Sequence, residues 1–227
     1  MARALAAVAT STEKANEPRS AKGRRTRARL VEAGKVVFAR DGFLGARITD
    51  IATEAGVSYG AFYHYFDSKE ELFREIAELM EVRLLAMDDL PHDESAEHDP
   101  YERIRAANRS YLGAYRQEAR LMSVIIEVSR YDDQVREVRD RRQEEFGARL
   151  AASVARLQKK GLADKDVDGR YAGLALGGMV ATFADALFAG RWKSDFDTAV
   201  DQLTILWANA LGISRPPSAK RPVRRKP

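Results

Sequence analysis

The chain has 227 residues, a formal net charge of +4 and no cysteine. That length suffices for one sizeable core or for a small module joined to a larger one, and the lack of cysteine excludes disulfides, thiolate metal sites and a cysteine nucleophile. The apolar start, Met1 to Ala9, is short and has no basic region ahead of a long apolar run, and no later run approaches a membrane span, so the chain reads as soluble and cytoplasmic with no membrane partner.

Positive charge is concentrated at the ends. Residues 1 to 30 hold eight Lys/Arg against two Glu, and residues 213 to 227 hold six against none. The Ala, Ser, Pro and Arg content of these ends predicts a disordered basic arm over 1–23 and a disordered basic tail over 213–227, suited to a polyanion or to solubility.

Between the arms, apolar residues Leu30, Val31, Ala33, Val37 and Phe38 recur at helical spacing from Thr26 to Arg40, and Gly42 follows where a helix takes a left-handed C-cap. A short helix is expected over Ile48 to Ala55, then a turn at Gly56-Val57-Ser58 and an aromatic-rich segment from Tyr59 to Phe66. Asp67 and Ser68, with Glu70 and Glu71 each three residues on, announce a long helix over Lys69 to Met87. Asp88 to Asp99 is acidic and aperiodic, a loop or domain seam. Asp99-Pro100 restarts helix as N-cap and N1, and helical stretches follow over 101–116, 118–130, 133–160, 164–190 and 194–211. No segment alternates with period two. The fold class is therefore all-α: a helix-turn-helix domain over 24–70, then a larger helical domain over 71–212.

The run from Ile48 to Phe66 carries the most specific signal. Ala52 is small where two short helices pack closely, Gly56 gives the turn its backbone freedom, and Ile51, Val57 and Phe62 form a shared apolar seam. Ser58 can cap the second helix, whose free amides then suit a phosphate. Residues 26 to 73 closely resemble the DNA-binding domain of the tetracycline-repressor family in Ile48, Ala52, Ala55-Gly56-Val57-Ser58, Tyr63, Phe66 and the Lys69 to Leu72 helix start.

The resemblance implies that Thr49, Tyr63, His64 and Lys69 grip the DNA backbone while Tyr59, Gly60 and Ala61 face base edges, with Arg47 and Ser58 as further readers. Arg24, Arg25 and Arg27 precede helix one, where family extensions reach phosphate or the minor groove. It also implies an inducer cavity. Tyr111, Tyr115, Met122 and Ile125 are candidates for its lining, with Ile126, Phe146, Met179 and Phe183; Phe188 belongs to the same aromatic set, and Arg120, Glu127, Arg130 and Asp185 are candidate polar anchors. The effector expected is small and apolar or amphipathic.

The nearly uncharged, small-residue run from Gly173 to Ala184 and the amphipathic last helix suggest a four-helix dimer interface through Leu174, Ala181, Leu203, Leu206 and Trp207. A homodimer matters because two recognition helices must lie one DNA turn apart, about 34 to 36 Å, to read a palindromic operator on double-stranded DNA. The whole reads as a repressor released by its effector. An architectural DNA-binding protein that uses its basic arms without sequence choice is the alternative. No catalytic residue, cofactor or metal site is expected: His64 belongs to the recognition helix, and His92, Asp93, Glu94 and His98 follow no regular ligand spacing.

Overall fold

A computed structural model describes residues 20–87 and 99–216. All of its regular structure is helical: α1 (Ala21–Gly45), α2 (Ile48–Glu54), α3 (Tyr59–Phe62), α4 (Lys69–Met87), α5 (Pro100–Gln117), α6 (Ala119–Val128), α7 (Asp133–Lys159), α8 (Gly169–Phe188) and α9 (Phe196–Ala210). The chain divides into two compact units between Ile76 and Ala77, inside α4, rather than at residue 70. The acidic loop with His92, Asp93, Glu94 and His98 lies outside the described residues, as do residues 1–19 and 217–227.

In the first unit α1 starts at Ala21, inside the stretch expected to be a disordered arm, because the Ser20 hydroxyl accepts from the Gly23 N–H and caps it. Gly42 does break the helix. Its φ of 71° and ψ of 172° leave the α region, and one further turn follows before Ala46. The core is aromatic and aliphatic: Leu30, Phe38, Ile51, Phe62, Phe66, Leu72 and Phe73 are buried. The Phe73 ring meets both Phe38 and Phe43 edge-on at 4.9 Å.

Aspartates open four of the five helices that begin in the second unit. Asp99 accepts from Tyr101 N–H ahead of Pro100, Asp132 from Gln134 and Val135 N–H, Asp168 from Arg170 N–H, and Asp195 from Thr198 N–H. Each satisfies a donor that the first helical turn leaves orphaned and places a negative charge at the positive end of the helix.

The small residues of α8 have a different use from the one expected. Ideal Cβ atoms built on Gly169 and Gly173 would lie 2.8 Å from Ala151 Cα and 2.7 Å from Gly147 Cα of α7, and one on Gly177 would strike the Phe146 ring. The glycine face, at i, i+4 and i+8, thus receives α7 of the same chain and not a partner helix. α8 is also long and apolar enough, by length and composition alone, to cross a membrane, contrary to the expectation that no run approaches a span. α5 is tied to α9 by Asn108, whose amide donates to Thr204 Oγ1 at 3.3 Å in the core, and by ion pairs of Arg105 with Asp201 and Arg109 with Asp197.

Candidate functional site

The turn between α2 and α3 is built from both ends. Gly56 sits at φ 63°, a conformation that side chains with a Cβ rarely adopt, and the Arg29 guanidinium reaches from α1 to donate to the carbonyls of Ala55 (Nε, 3.0 Å) and Gly56 (Nη2, 2.9 Å). Arg29 was not foreseen, because an arginine on the polar side of an amphipathic helix reads as solvated. Ser58 caps α3 as expected from its position, accepting from Ala61 N–H at 3.3 Å. Arg47 stands at the N-cap of α2 and gives it no side-chain hydrogen bond.

α3 is a single turn with two unlike faces. Phe62 is wholly buried beneath it, whereas Tyr59 is 53 % exposed and Tyr63 is 41 % exposed. Their hydroxyls meet at 2.8 Å and their rings at 5.3 Å, edge to face. The hydrogen bond between the two hydroxyls raises the Tyr63 phenol above its ordinary value, so it stays protonated near neutral pH. Gly60 and His64 are exposed beside them and Ala61 is half-buried, while Arg47, Thr49 and Ser58 are exposed on the approach.

Two candidate phosphate contacts are committed elsewhere. Arg27 forms a two-pronged ion pair with Glu75 and lies 4.7 Å from the Phe66 ring centroid, leaving its side chain 15 % exposed. Lys69 Nζ donates to the carbonyls of Phe43 at 3.0 Å and Ala46 at 3.1 Å, so its ammonium closes the C-terminal end of α1. Arg24 and Arg25, three and two residues before Arg27, are exposed.

Residues 30–76, which hold all of α2 and α3, match the family model of bacterial regulatory proteins, tetR family. Over those residues the chain carries the N-terminal region of that family. It is 40 % identical over 86 residues to the HTH-type transcriptional regulator YfiR of Bacillus subtilis, covering 37 % of this chain and 38 % of that one. To the probable acrEF/envCD operon repressor of Escherichia coli it is 27 % identical over 121 residues, 49 % of this chain and 51 % of that one. The chain thus spans about half or less of the length of the curated relatives it matches. Among solved structures, the fatty acid degradation regulator FadR from Bacillus halodurans superposes with a TM-score of 0.68 at 16 % identity, over 87 % of this chain and 100 % of that one. A TetR-like transcriptional regulator from Rhodococcus gives 0.60 at 24 % identity, over 81 % and 94 %. At those identities the likeness is one of fold.

In the second unit, a cavity of about 160 Å³ opens among α5, α7, α8 and α9. Of the candidate lining residues only Tyr111 and Phe146 border it. Tyr115, Met122 and Ile125 are buried core, and Ile126, Met179 and Phe183 are half-buried elsewhere. Helical spacing identifies which residues face inward but not which inward-facing residues leave a gap. The polar groups on the lining are also others than expected: Arg103, Asn108, Arg142, Gln143, Arg149 and Ser153. Arg120, Glu127 and Arg130 are exposed, and Asp185 is held away from the cavity by Ser123 Oγ at 3.2 Å, Tyr115 Oη at 3.4 Å and an ion pair with Arg191. Burial and the Asp185 charge push the Tyr115 phenol upward, so it remains a donor to that carboxylate.

The five candidate dimer residues also separate. Leu203 and Trp207 are buried in the chain itself and leave almost no surface for a partner; Ala181 is half-buried, whereas Leu174 is 62 % and Leu206 51 % exposed. Tyr171, one turn before Leu174 on α8, extends the exposed apolar face.

Proposed function

We propose that this chain is a homodimeric transcriptional repressor of the cytoplasm, with no catalytic chemistry, that binds a palindromic operator through two copies of α3 and is released when a small apolar or amphipathic effector enters the α5–α7–α8–α9 cavity. One observation carries the reading: α3 buries Phe62 but holds the polar-tipped rings of Tyr59 and Tyr63 out of the core. A tyrosine pair that serves only packing turns its rings inward; here the phenols are presented on a helix too short to need them.

The family supports the rest. Relatives named as repressors favour repression over activation. Thr49, Tyr63 and His64 serve the phosphates and Tyr59, Gly60 and Ala61 the base edges, with Arg47 and Ser58 beside them and Arg24 and Arg25 adding sequence-independent attraction. Leu174 and Leu206 are the apolar contacts left for the second copy.

Selection of bound sequences from random duplex DNA, at near-physiological salt so that basic arms alone cannot dominate, tests the proposal. A palindromic motif is the expected result. A pool without any motif overturns it in favour of the architectural alternative, which coats duplex without choice.

A further inference from the structure

The cavity in the second unit is apolar on one side and cationic on the other. Ile104, Phe146, Leu150 and Val180 contribute hydrocarbon, and the lining carries three arginines, Arg103, Arg142 and Arg149, but no aspartate or glutamate. Glu81 of α4 compensates Arg142, with Oε2 3.2 Å from its Nε, and that carboxylate is shared with Arg139. The guanidinium of Arg103 has no ion-pair or hydrogen-bond partner among the described residues. Trp207 of α9 also borders the cavity.

A cluster of arginines beside apolar surface raises the local concentration of anions, and the apolar side favours a hydrocarbon tail on the same molecule. Resting on the effector reading above, we propose that the cavity takes a small amphipathic organic anion, a carboxylate of about ten non-hydrogen atoms, with its acceptor oxygens toward the arginines and its hydrocarbon against Phe146 and Leu150. The size follows from the volume: about 160 Å³ accommodates roughly ten water-sized groups. Planar guanidiniums suit a carboxylate in particular, because two parallel N–H groups match its two oxygens.

Trp192 and Trp207 are the chain's two tryptophans, and Trp192 is exposed. The full-length chain carrying Trp192→Phe therefore reports on Trp207 alone, and its fluorescence is titrated with octanoate, octan-1-ol and octylamine. The expected result is saturable binding of octanoate, at least tenfold weaker binding of octanol, and none of octylamine. Arg103→Met and Arg149→Met, which keep the aliphatic stem, are expected each to weaken octanoate about tenfold while leaving octanol unchanged. Octanol or octylamine binding as tightly as octanoate, octanoate binding unaffected by both arginine variants, or no response to any probe overturns the anion assignment. Repeating the octanoate titration with the selected duplex separates the two readings: octanoate that binds as described but leaves DNA affinity unchanged supports the site and removes the ligand-responsive release.

Discussion

Glu81 of α4 lies between two arginines of α7, with Oε2 3.2 Å from Arg142 Nε and Oε1 3.4 Å from Arg139 Nε. The carboxylate is 3 % exposed as a residue, and Oε2 has charge contact without an aligned hydrogen bond. Burial raises its pKa, outweighing the pull of Arg142 and then Arg139 in the other direction. Removing one partner of a buried pair strands the other, at a cost of about 3 kcal/mol. Glu81→Ala and Arg142→Met are each expected to destabilise by about that amount, and the double variant by clearly less than their sum. Urea unfolding followed by tryptophan fluorescence measures all three. An additive double variant shows that the two groups are not coupled.

The raised value fixes a pH dependence. A carboxyl whose folded pKa lies above its unfolded one contributes most below the unfolded value, near 4.5, and loses that contribution as pH rises toward the folded one. Glu81→Gln removes the titration. The stability of the parent chain relative to Glu81→Gln is therefore expected to decline as pH is raised from about 4.5 toward neutrality; a difference that grows with pH reverses the sign and refutes the assignment.

Much of this was legible in the residues. The breaks at Gly42 and Gly56, the caps at Ser58 and Asp99 and the start of α4 at Lys69 follow from local chemistry, which sequence displays directly. Arg27, Lys69 and Arg29 were not legible in the same way. Their roles depend on groups 48, 26 and 26 residues distant, and periodicity carries no information about which distant carbonyl or carboxylate a long cation will reach. The small residues of α8 illustrate the same limit: their spacing announces a close helix, and only the packing shows that the helix is α7.

That packing makes Gly173 demanding. A Cβ there would meet Gly147 Cα at 2.7 Å and its carbonyl oxygen at 3.0 Å, both backbone atoms, whereas one on Gly113 of α5 meets nothing within 4 Å. Gly173→Ala is expected to cost about 2 kcal/mol by forcing α7 and α8 apart, and Gly113→Ala to stabilise by up to about 1 kcal/mol through helix propensity. Both tryptophans lie in the same unit as these glycines, so one fluorescence-detected denaturation compares them. Equal effects of the two variants contradict the close approach.

Arg25 and Arg27 are two residues apart and are expected to fail differently. Exposed Arg25 is free to neutralise a phosphate, so Arg25→Ala is expected to lower the slope of log affinity against log salt by about 0.9 with little change in thermal unfolding. Arg27→Ala breaks the mostly buried contact with Glu75 and the stacking on Phe66, and is expected to destabilise the first unit by about 3 kcal/mol, seen by circular dichroism. Tyr63→Phe keeps the ring and removes the hydroxyl, and is expected to weaken operator binding about fivefold to tenfold with stability unchanged. If Arg27→Ala lowers the salt slope and leaves unfolding untouched, Arg27 faces DNA and not Glu75.

The proposed homodimer closes through the exposed side chains of α8 and α9. Tyr171, Leu174 and Leu206 present large apolar side chains to solvent in the single chain, and a closed dimer buries such a face against its own copy. A glutamate there has to be desolvated opposite its symmetry mate, which costs several kcal/mol. Leu174→Glu and Leu206→Glu are therefore expected to shift sedimentation at micromolar concentration from dimer to monomer while leaving helical content intact, because neither side chain belongs to the core. Leu203→Glu serves as the contrast: Leu203 is 1 % exposed, and its replacement is expected to unfold the second unit instead of separating two folded chains. If Leu174→Glu and Leu206→Glu both sediment as the parent dimer, the interface lies on another face, and the half-site spacing has to be set by some other pair of helices.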